Sequence, residues 1–399
     1  MEKDRANDIS FPGPGASAGS DSFEGSNVSG YNSFSSFNGG SGSFDAPFLI
    51  STDAQLDQVR NHPDAYFMLI NDIKLSQNTA WVPIGKAGNP FTGHFDGNGH
   101  IISGLFINQG SSDDVGLFGV TENAFIENLG LEQVTITGRT RVGSLVGDKL
   151  GGTISNCFAT GSVLGRDVVG GLVGDHSVGV ISDCYAIVNV EGNDTVGGFI
   201  GSNGINSTAL NCYAAGKVSG VTRVGGFAGA NNGVFLASYF DLDATGQNKG
   251  VGAGNERGAD GKTAAQMRMM ETFRPNGWKF IFVWNIIPTV NNGYPFLRVF
   301  TRVFGNEVLS FRIPGQIASF INQETNSICV FMPRGTNRSC LRPEIIINEG
   351  ATIEPESGRA CNFRCPVTYT VTAQDGSKRV YTVCVHTVRE QKSPCCTCN

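Results

Sequence analysis

Residues Val168 to Gly192 read VVGGLVGDHSVGVISDCYAIVNVEG: two glycines, an apolar pair, a third glycine, a polar loop, then an apolar run carrying one cysteine. The phrase recurs. Setting its third glycine in register gives Gly119, Gly147, Gly174, Gly201 and Gly229, separated by 28, 27, 27 and 28 residues. Other columns keep the same step: Val115, Val142, Val169, Val196 and Val224; Leu117, Leu145, Leu172, Phe199 and Phe227; Ile136, Val163, Val190 and Val218; Cys157, Cys184 and Cys212. Independent columns agreeing on one period mean stacked supersecondary units rather than one odd loop.

Each period divides into three short apolar stretches, such as VGGLVG, VISDCYA and IVNVEG, parted by Gly, Asn and Asp. None is long enough for the helical periodicity of a helical-hairpin repeat. Three strands and three turns fill the period, which predicts a right-handed parallel β-solenoid with coils of about 27 residues, each strand pairing with its equivalent about 4.8 Å above. The Leu/Phe, Val/Ile and Cys columns are then inward ladders, and the glycines are expected to supply positive φ at the corners and to let backbones turn tightly without a Cβ clash, so that bulk at Gly174 would disrupt the rung.

Composition agrees with an all-β chain. Of 399 residues 54 are Gly, about twice the usual share, and only 16% are charged. The net charge of -6, with no sustained block of Lys or Arg, argues against a nucleic-acid partner, which requires a concentrated basic face. No apolar run reaches the length of a transmembrane helix. The opening MEKDRANDIS lacks the apolar core of a secretory signal, yet eight of the eleven cysteines follow residue 328, the density of an exported, disulfide-stapled module. We therefore expect an extracellular or cell-surface protein exported after loss of a leader or by another route.

Around the repeats, residues 1–45 are rich in Gly, Ser and Asn with scattered Phe and are expected to be a disordered leader. STDAQLDQVRNH opens with a Ser/Thr cap and places Leu56 and Val59 three apart, predicting a short helix before the first coils. The repeat region with its two caps spans 46–300, the segment TAAQMRMMETF and the Trp-bearing NGWKFIFVWNI forming a far-end cap. Residues 301–389 carry alternating runs such as SICVFMP, VTYTVTA and RVYTVCVHTV, which predict a small Ig-like or cadherin-like antiparallel β-sandwich. Residues 390–399 are a Cys-rich tail.

The repeated VGGLVG, VGGFIG and VGGFAG with NCYA resemble the GLUG-type repeats of bacterial surface proteins, including haemagglutinin-like adhesins and the non-catalytic parts of immunoglobulin A proteases. FTGHFDGNGHIISGL resembles the first coil of such arrays, and SYFDLDATGQ with GYPFL resembles their exit, so the likeness covers roughly 46–298. LRPEIIINEGATIEPESG with PVTYTVTAQDGSKRVYTVCV resembles cadherin-like sandwich modules of bacterial surface proteins. The resemblance implies adhesion or display, and no chemistry.

Candidate sites follow from the outward positions. The turns GRTR, GRDV, GNDT and GVTR place Arg139, Arg166, Asp167, Asp194 and Arg223 on one edge at stacked heights, suited to gripping the hydroxyls of a glycan or a surface protein; a solvated turn row accounts for the same residues. The runner-up is a polysaccharide hydrolase or lyase, which needs paired carboxylates on one outward face. Asp148 and Asp175 follow successive rung glycines, but Ser202 and Ala230 follow the next two. None of the five histidines has zinc-peptidase spacing. Cys157, Cys184 and Cys212 form a vertical row that cannot offer four tetrahedral ligands to zinc, so they read as small buried residues. Asp241 and Asp243 open a DLDATG turn resembling a weak calcium loop, although the twelfth position is Gly252 rather than Glu. Among Cys329, Cys340, Cys361, Cys365 and Cys384 we expect two internal disulfides. Cys395, Cys396 and Cys398 would pair internally or with another chain in self-assembly, or hold a soft metal. No pattern requires a cofactor.

Overall fold

The computed structural model describes residues 37–76, 80–280, 282–300, 305–348, 350–373 and 376–388. The chain is all-β: a parallel β-solenoid of about six turns of roughly 28 residues, followed by small sheets that are mostly antiparallel. Registers are those the sequence columns require. Strand Phe158–Leu164 pairs parallel with Tyr185–Glu191 so that Val163 lies against Val190, and Val173–Ser182 pairs with Ile200–Leu210 so that Val173 lies against Ile200. A one-residue slip would turn every inward side chain outward, so the buried columns fix the register.

The interior is lined by buried apolar ladders. Leu117, Leu145, Leu172, Phe199 and Phe227 are fully buried, as are Val142, Val169, Val196, Cys157, Cys184 and Cys212. Burying each large aliphatic or aromatic side chain contributes about 1.5–3 kcal/mol, so these ladders dominate stability. The cysteines also donate: the thiols of Cys157, Cys184 and Cys212 lie 3.1–3.2 Å from the carbonyls of Ser155, Ser182 and Leu210. Ser238 continues the column, its hydroxyl bonding to the Leu236 carbonyl at 3.1 Å. Burial pushes the Cys157 and Cys184 thiols well up, which keeps them protonated donors rather than metal-binding thiolates.

At the rung glycines the expected Cβ clash is present and the expected positive φ is not. They do not have positive φ; a Cβ on Gly174 would stand 2.6 Å from the Gly147 carbonyl oxygen and from the Arg141 backbone, so they are required by close coil-to-coil approach. Positive φ at one corner is instead adopted by Arg141, Val168, Thr195 and Arg223, at 52–57°. At a second corner it falls on Asn128, Asn156, Asp183 and Asn211, just before the cysteine position. Asn and Asp tolerate that region because their side chains bond locally, and here they also bond between coils: Asn156 Nδ2 donates to Asn128 Oδ1 at 3.1 Å and Asn211 Nδ2 to Asp183 Oδ1 at 3.2 Å.

A third, polar column runs inside the stack. Thr121, Lys149, His176, Asn203 and Asn231 lie in register and are almost wholly buried. The Lys149 ammonium donates to the carbonyls of Gly151, Gly152 and Val178, each at 2.9 Å, while Asn203 Nδ2 donates to Asn231 Oδ1 at 2.7 Å. Neither ring nitrogen of His176 has a hydrogen-bond partner among the described residues.

At the start, Thr52 caps the helix Asp53–Gln58, and Leu56 and Val59 are buried in the solenoid core. Residues 37–45, assigned by sequence to the leader, are ordered: Phe37 is buried and stacks on Phe48 with ring centroids 4.5 Å apart, and Asn38 N donates to the Leu49 carbonyl. Residues 1–36 lie outside the described residues. The segment expected at the far end runs back along the side of the stack. After two short helical turns, Ala264–Met267 and Met270–Phe273, its aromatics cover an outward ladder of Phe158, Tyr185, Tyr213 and Tyr239. Phe158, Tyr185 and Tyr213 stack with centroids 4.9 and 5.0 Å apart; Phe273 meets Tyr239, Trp284 meets Tyr213, and Phe300 meets Phe158. We call residues 264–300 the strap.

The second region has seven strands among its described residues: Val308–Arg312 pairs with Glu344–Ile347, and Ala318–Asn322, Ser327–Met332, Lys378–Thr387, Val367–Thr372 and Thr352–Glu354 form a five-stranded sheet. One pairing departs from the antiparallel expectation: Ser327–Met332 and Lys378–Thr387 run parallel, placing Cys329 beside Cys384. The expected two internal disulfides are not supported, because no two described cysteines stand at disulfide distance. Cys340 and Cys365 are exposed thiols, and the Tyr369 hydroxyl lies 3.4 Å from Cys361 Sγ. Cys395, Cys396 and Cys398 lie outside the described residues.

Two outcomes follow from this packing. Gly174→Ala must force backbone apart and is expected to destabilise the fold by about 3 kcal/mol, read as a lowered urea midpoint. Burial holds His176 neutral, its pKa pushed down from 6.5 to about 3, with the Lys149 ammonium adding to the effect. Since the unfolded chain then binds the extra proton, stability is intact above pH 6.5 and falls as pH drops toward 3. The stability loss between pH 7 and 5 is expected to shrink by about 2 kcal/mol in His176→Asn, measured by urea unfolding at both pH values.

Candidate functional site

The edge picked out by sequence is a real surface. Strands Thr140–Val142, Asp167–Gly170, Asp194–Gly197 and Thr222–Gly225 form a four-stranded parallel sheet with Thr140, Asp167, Asp194 and Thr222 in one row. Each strand turns its Val inward, at Val142, Val169, Val196 and Val224, which leaves the flanking residues on the corner exposed to solvent or half-buried. The structure brings Arg139, Arg166, Asp167, Asp194 and Arg223 together along this edge, spread over successive coils.

Every guanidinium there is paired. Arg139 makes a fork to Asp113, with contacts of 2.7 and 2.5 Å; Arg166 reaches Asp167 at 2.8 Å; Arg223 forks onto Asp194, which also accepts from the Thr222 hydroxyl at 2.6 Å. The Arg223 guanidinium and Thr222 hydroxyl hold the Asp194 carboxyl well below its usual range, and Arg139 does the same to Asp113. Exposed pairs of this kind contribute little to stability, and they leave guanidinium, carboxylate and hydroxyl groups side by side along the edge.

Beside this row lie the two carboxylates that the sequence offers to the runner-up reading. Asp148 and Asp175 face one another in register on adjacent coils. Arg141 ion-pairs with Asp114 and lies 3.4 Å from Asp148. Asp148 Oδ1 is buried with no donor among the described residues. Burial pushes the Asp148 carboxyl up to about 6, with the neighbouring Asp175 adding to the rise, and burial also raises Asp175. The signal in the sequence is VGD occurring twice in succession; Ser202 and Ala230 in the next two coils weaken an enzyme reading without excluding it, since catalysis needs only one coil.

The other candidates are structural. Asp241 is fully buried and caps the short helix Leu242–Thr245, its Oδ1 accepting from Asp243 N and Ala244 N and its Oδ2 from the Tyr294 hydroxyl at 2.7 Å. Asp243 Oδ2 accepts from Ala264 N at 2.8 Å. Capping and the strap thus occupy the carboxylates of the supposed calcium loop, and no cluster of three or more metal-ligating groups occurs among the described residues. No helix among them is long and apolar enough to cross a membrane.

Because the folded pKa of Asp148 lies above 3.8, the folded state holds the extra proton between pH 3.8 and about 6, and this residue costs stability as pH rises through that window. Asp148→Asn is expected to stabilise the protein by about 1 kcal/mol at pH 8 and to leave it unchanged at pH 3.5, measured as the shift in thermal midpoint at each pH.

Comparison with known proteins agrees with this architecture. Residues 308–385 match the family model described as SGBP, N-terminal. A protein of Evansella cellulosilytica named as a Gly-rich membrane protein is 41% identical over 126 residues, covering 29% of this chain and 15% of that protein. Halomucin of Haloquadratum walsbyi is 34% identical over 137 residues, covering 31% of this chain and 2% of halomucin. The chain therefore matches only a small part of the length of these relatives. A Bacteroides ovatus crystal structure described as an immunoglobulin A1 protease superposes over 66% of this chain and 95% of its own, with a TM-score of 0.53 at 19% identity, a likeness of fold alone.

Proposed function

We propose that this chain is a non-enzymatic, extracellular or cell-surface glycan-binding protein that displays its solenoid as the attachment surface. The observation that carries the reading is the match of the sandwich strands, residues 308–385, to a family of surface glycan-binding proteins. The relatives named as a Gly-rich membrane protein and as halomucin are in keeping with a place at the cell surface. In this reading the GLUG-like array over 46–300 carries the ligand edge, the cadherin-like sandwich over 301–389 is a spacer, and the tail from 390 links chains through its cysteines. The ligand edge is the Arg/Asp row of Arg139, Arg166, Asp167, Asp194 and Arg223, where forked guanidinium groups and carboxylates bond to vicinal hydroxyls.

Screening against a glycan array supplies the ligand. Arg166→Ala and Asp194→Ala are then expected to weaken binding by about tenfold each with the thermal midpoint nearly unchanged, since exposed ion pairs carry about 0–1 kcal/mol of stability. Unchanged binding in both variants moves the face elsewhere, and an array with no bound glycan removes the reading.

A second reading rests on the Asp148–Asp175 pair. Two carboxyls in adjacent coils, one held near neutrality, have the make-up of an acid and base for cleaving a polysaccharide laid across the coils. Release of reducing ends from a polysaccharide panel by the native chain, and none by Asp148→Asn, would establish this reading in place of the first.

A further inference from the structure

A cleft of about 740 Å³ lies between the strap and the sandwich, within the roughly 300–1,000 Å³ of small-ligand sites. Its walls combine three features. Phe282 presents a ring that is 76% exposed, beside the buried rings of Trp278 and Phe280 that hold the strap to the solenoid. Arg274, Lys279, Arg298 and Arg379 bring four cations to its walls against one lining carboxylate, Glu324, in a chain whose net charge is -6. Asn285 adds an amide whose Nδ2 can donate while its Oδ1 accepts from Ile286 N, whereas the Gln323 amide is engaged, donating to the Val308 carbonyl and accepting from the Tyr381 hydroxyl.

The cations differ from those of the Arg/Asp row. Arg298 and Arg379 share Glu307 at 2.7 and 3.4 Å, but Arg274 and Lys279 are exposed and stand in no ion pair among the described residues. Unpaired charge of one sign in a concave site attracts a ligand of the opposite sign. An exposed aromatic face suits the C–H face of a pyranose, whose weakly positive hydrogens meet the negative π surface. Amides suit its hydroxyls.

We infer that this cleft binds an anionic glycan, the cations taking its acidic groups, Phe282 stacking on a sugar ring, and the Asn285 amide donating to a hydroxyl. This inference rests on the glycan-binding reading above, but it sets a different site from the Arg/Asp row and a definite ligand class.

Calorimetric titration of the full chain with oligogalacturonate, sulfated dextran and neutral dextran tests it. At least one acidic glycan is expected to bind about tenfold or more tighter than neutral dextran, and more weakly as salt is raised. Whichever acidic arm binds identifies carboxylate or sulfate as the recognised group. The double variant Arg274→Ala/Lys279→Ala, and Phe282→Ala separately, should each weaken that binding about tenfold at an unchanged thermal midpoint, with Lys86→Ala, an exposed residue in neither proposed site, as the native-like control. Neutral dextran bound as tightly as the acidic chains would overturn the ligand class. Acidic-glycan binding lost in Arg166→Ala but kept in the cleft variants would overturn the site and leave the glycan-binding reading standing. Failure of every glycan here and on the array would overturn both.

Discussion

Everything in this molecule depends on one distance, the spacing of about 4.8 Å between equivalent strands of successive coils. At that spacing backbones at the rung position pass so close that a Cβ on Gly174 would sit 2.6 Å from the Gly147 carbonyl oxygen. The same spacing puts like side chains above like. Leu172 lies beneath Phe199, Cys157 beneath Cys184, and Asn128 beneath Asn156. Each stacked column then bonds or packs along its own length, which turns a weak local preference into a cooperative one.

The stacking has a consequence for the surface as well. A corner position in one coil lies directly beside its equivalent in the next, so charged residues placed at neighbouring corner positions form a row. In the row of Arg139, Arg166, Asp167, Asp194 and Arg223, donors and carboxylates alternate closely enough to pair. Stability resides in the interior, and the exposed corner pairs contribute little to it, so changes at the corners are nearly independent of the stack. Asp148 and Asp175 are the exception, since their partial burial links protonation to the stability of the stack.

The strap joins the solenoid to its surroundings. Tyr185 and Tyr213 point outward by the strand alternation that turns their neighbouring cysteines inward, yet both are buried, because Trp278 and Trp284 fold back over them. Hydrogen bonds fix the cover: Trp284 Nε1 reaches Asp183 at 3.0 Å, and the Tyr213 hydroxyl reaches the Pro295 carbonyl at 2.7 Å. The same strap forms one wall of the cationic cleft, so the cleft is held by the ladder beneath it.

The amino-acid sequence alone determined the period, the strand register, the inward columns and the edge carrying the Arg/Asp row, because a repeat writes its own contacts as identities at a fixed step. It also determined the short capped helix near Asp53 and most of the sandwich strands, through local alternation. Tertiary structure decided what lies between elements far apart in the chain. The strap's path over Tyr213, the ordering of Phe37, the spread of the sandwich cysteines and the parallel pairing of Cys329 with Cys384 depend on which surfaces meet in space. So does the orphaned His176, which the period places inside the stack but whose missing partner only the packed coil reveals. No periodic signal encodes such meetings, since each occurs once.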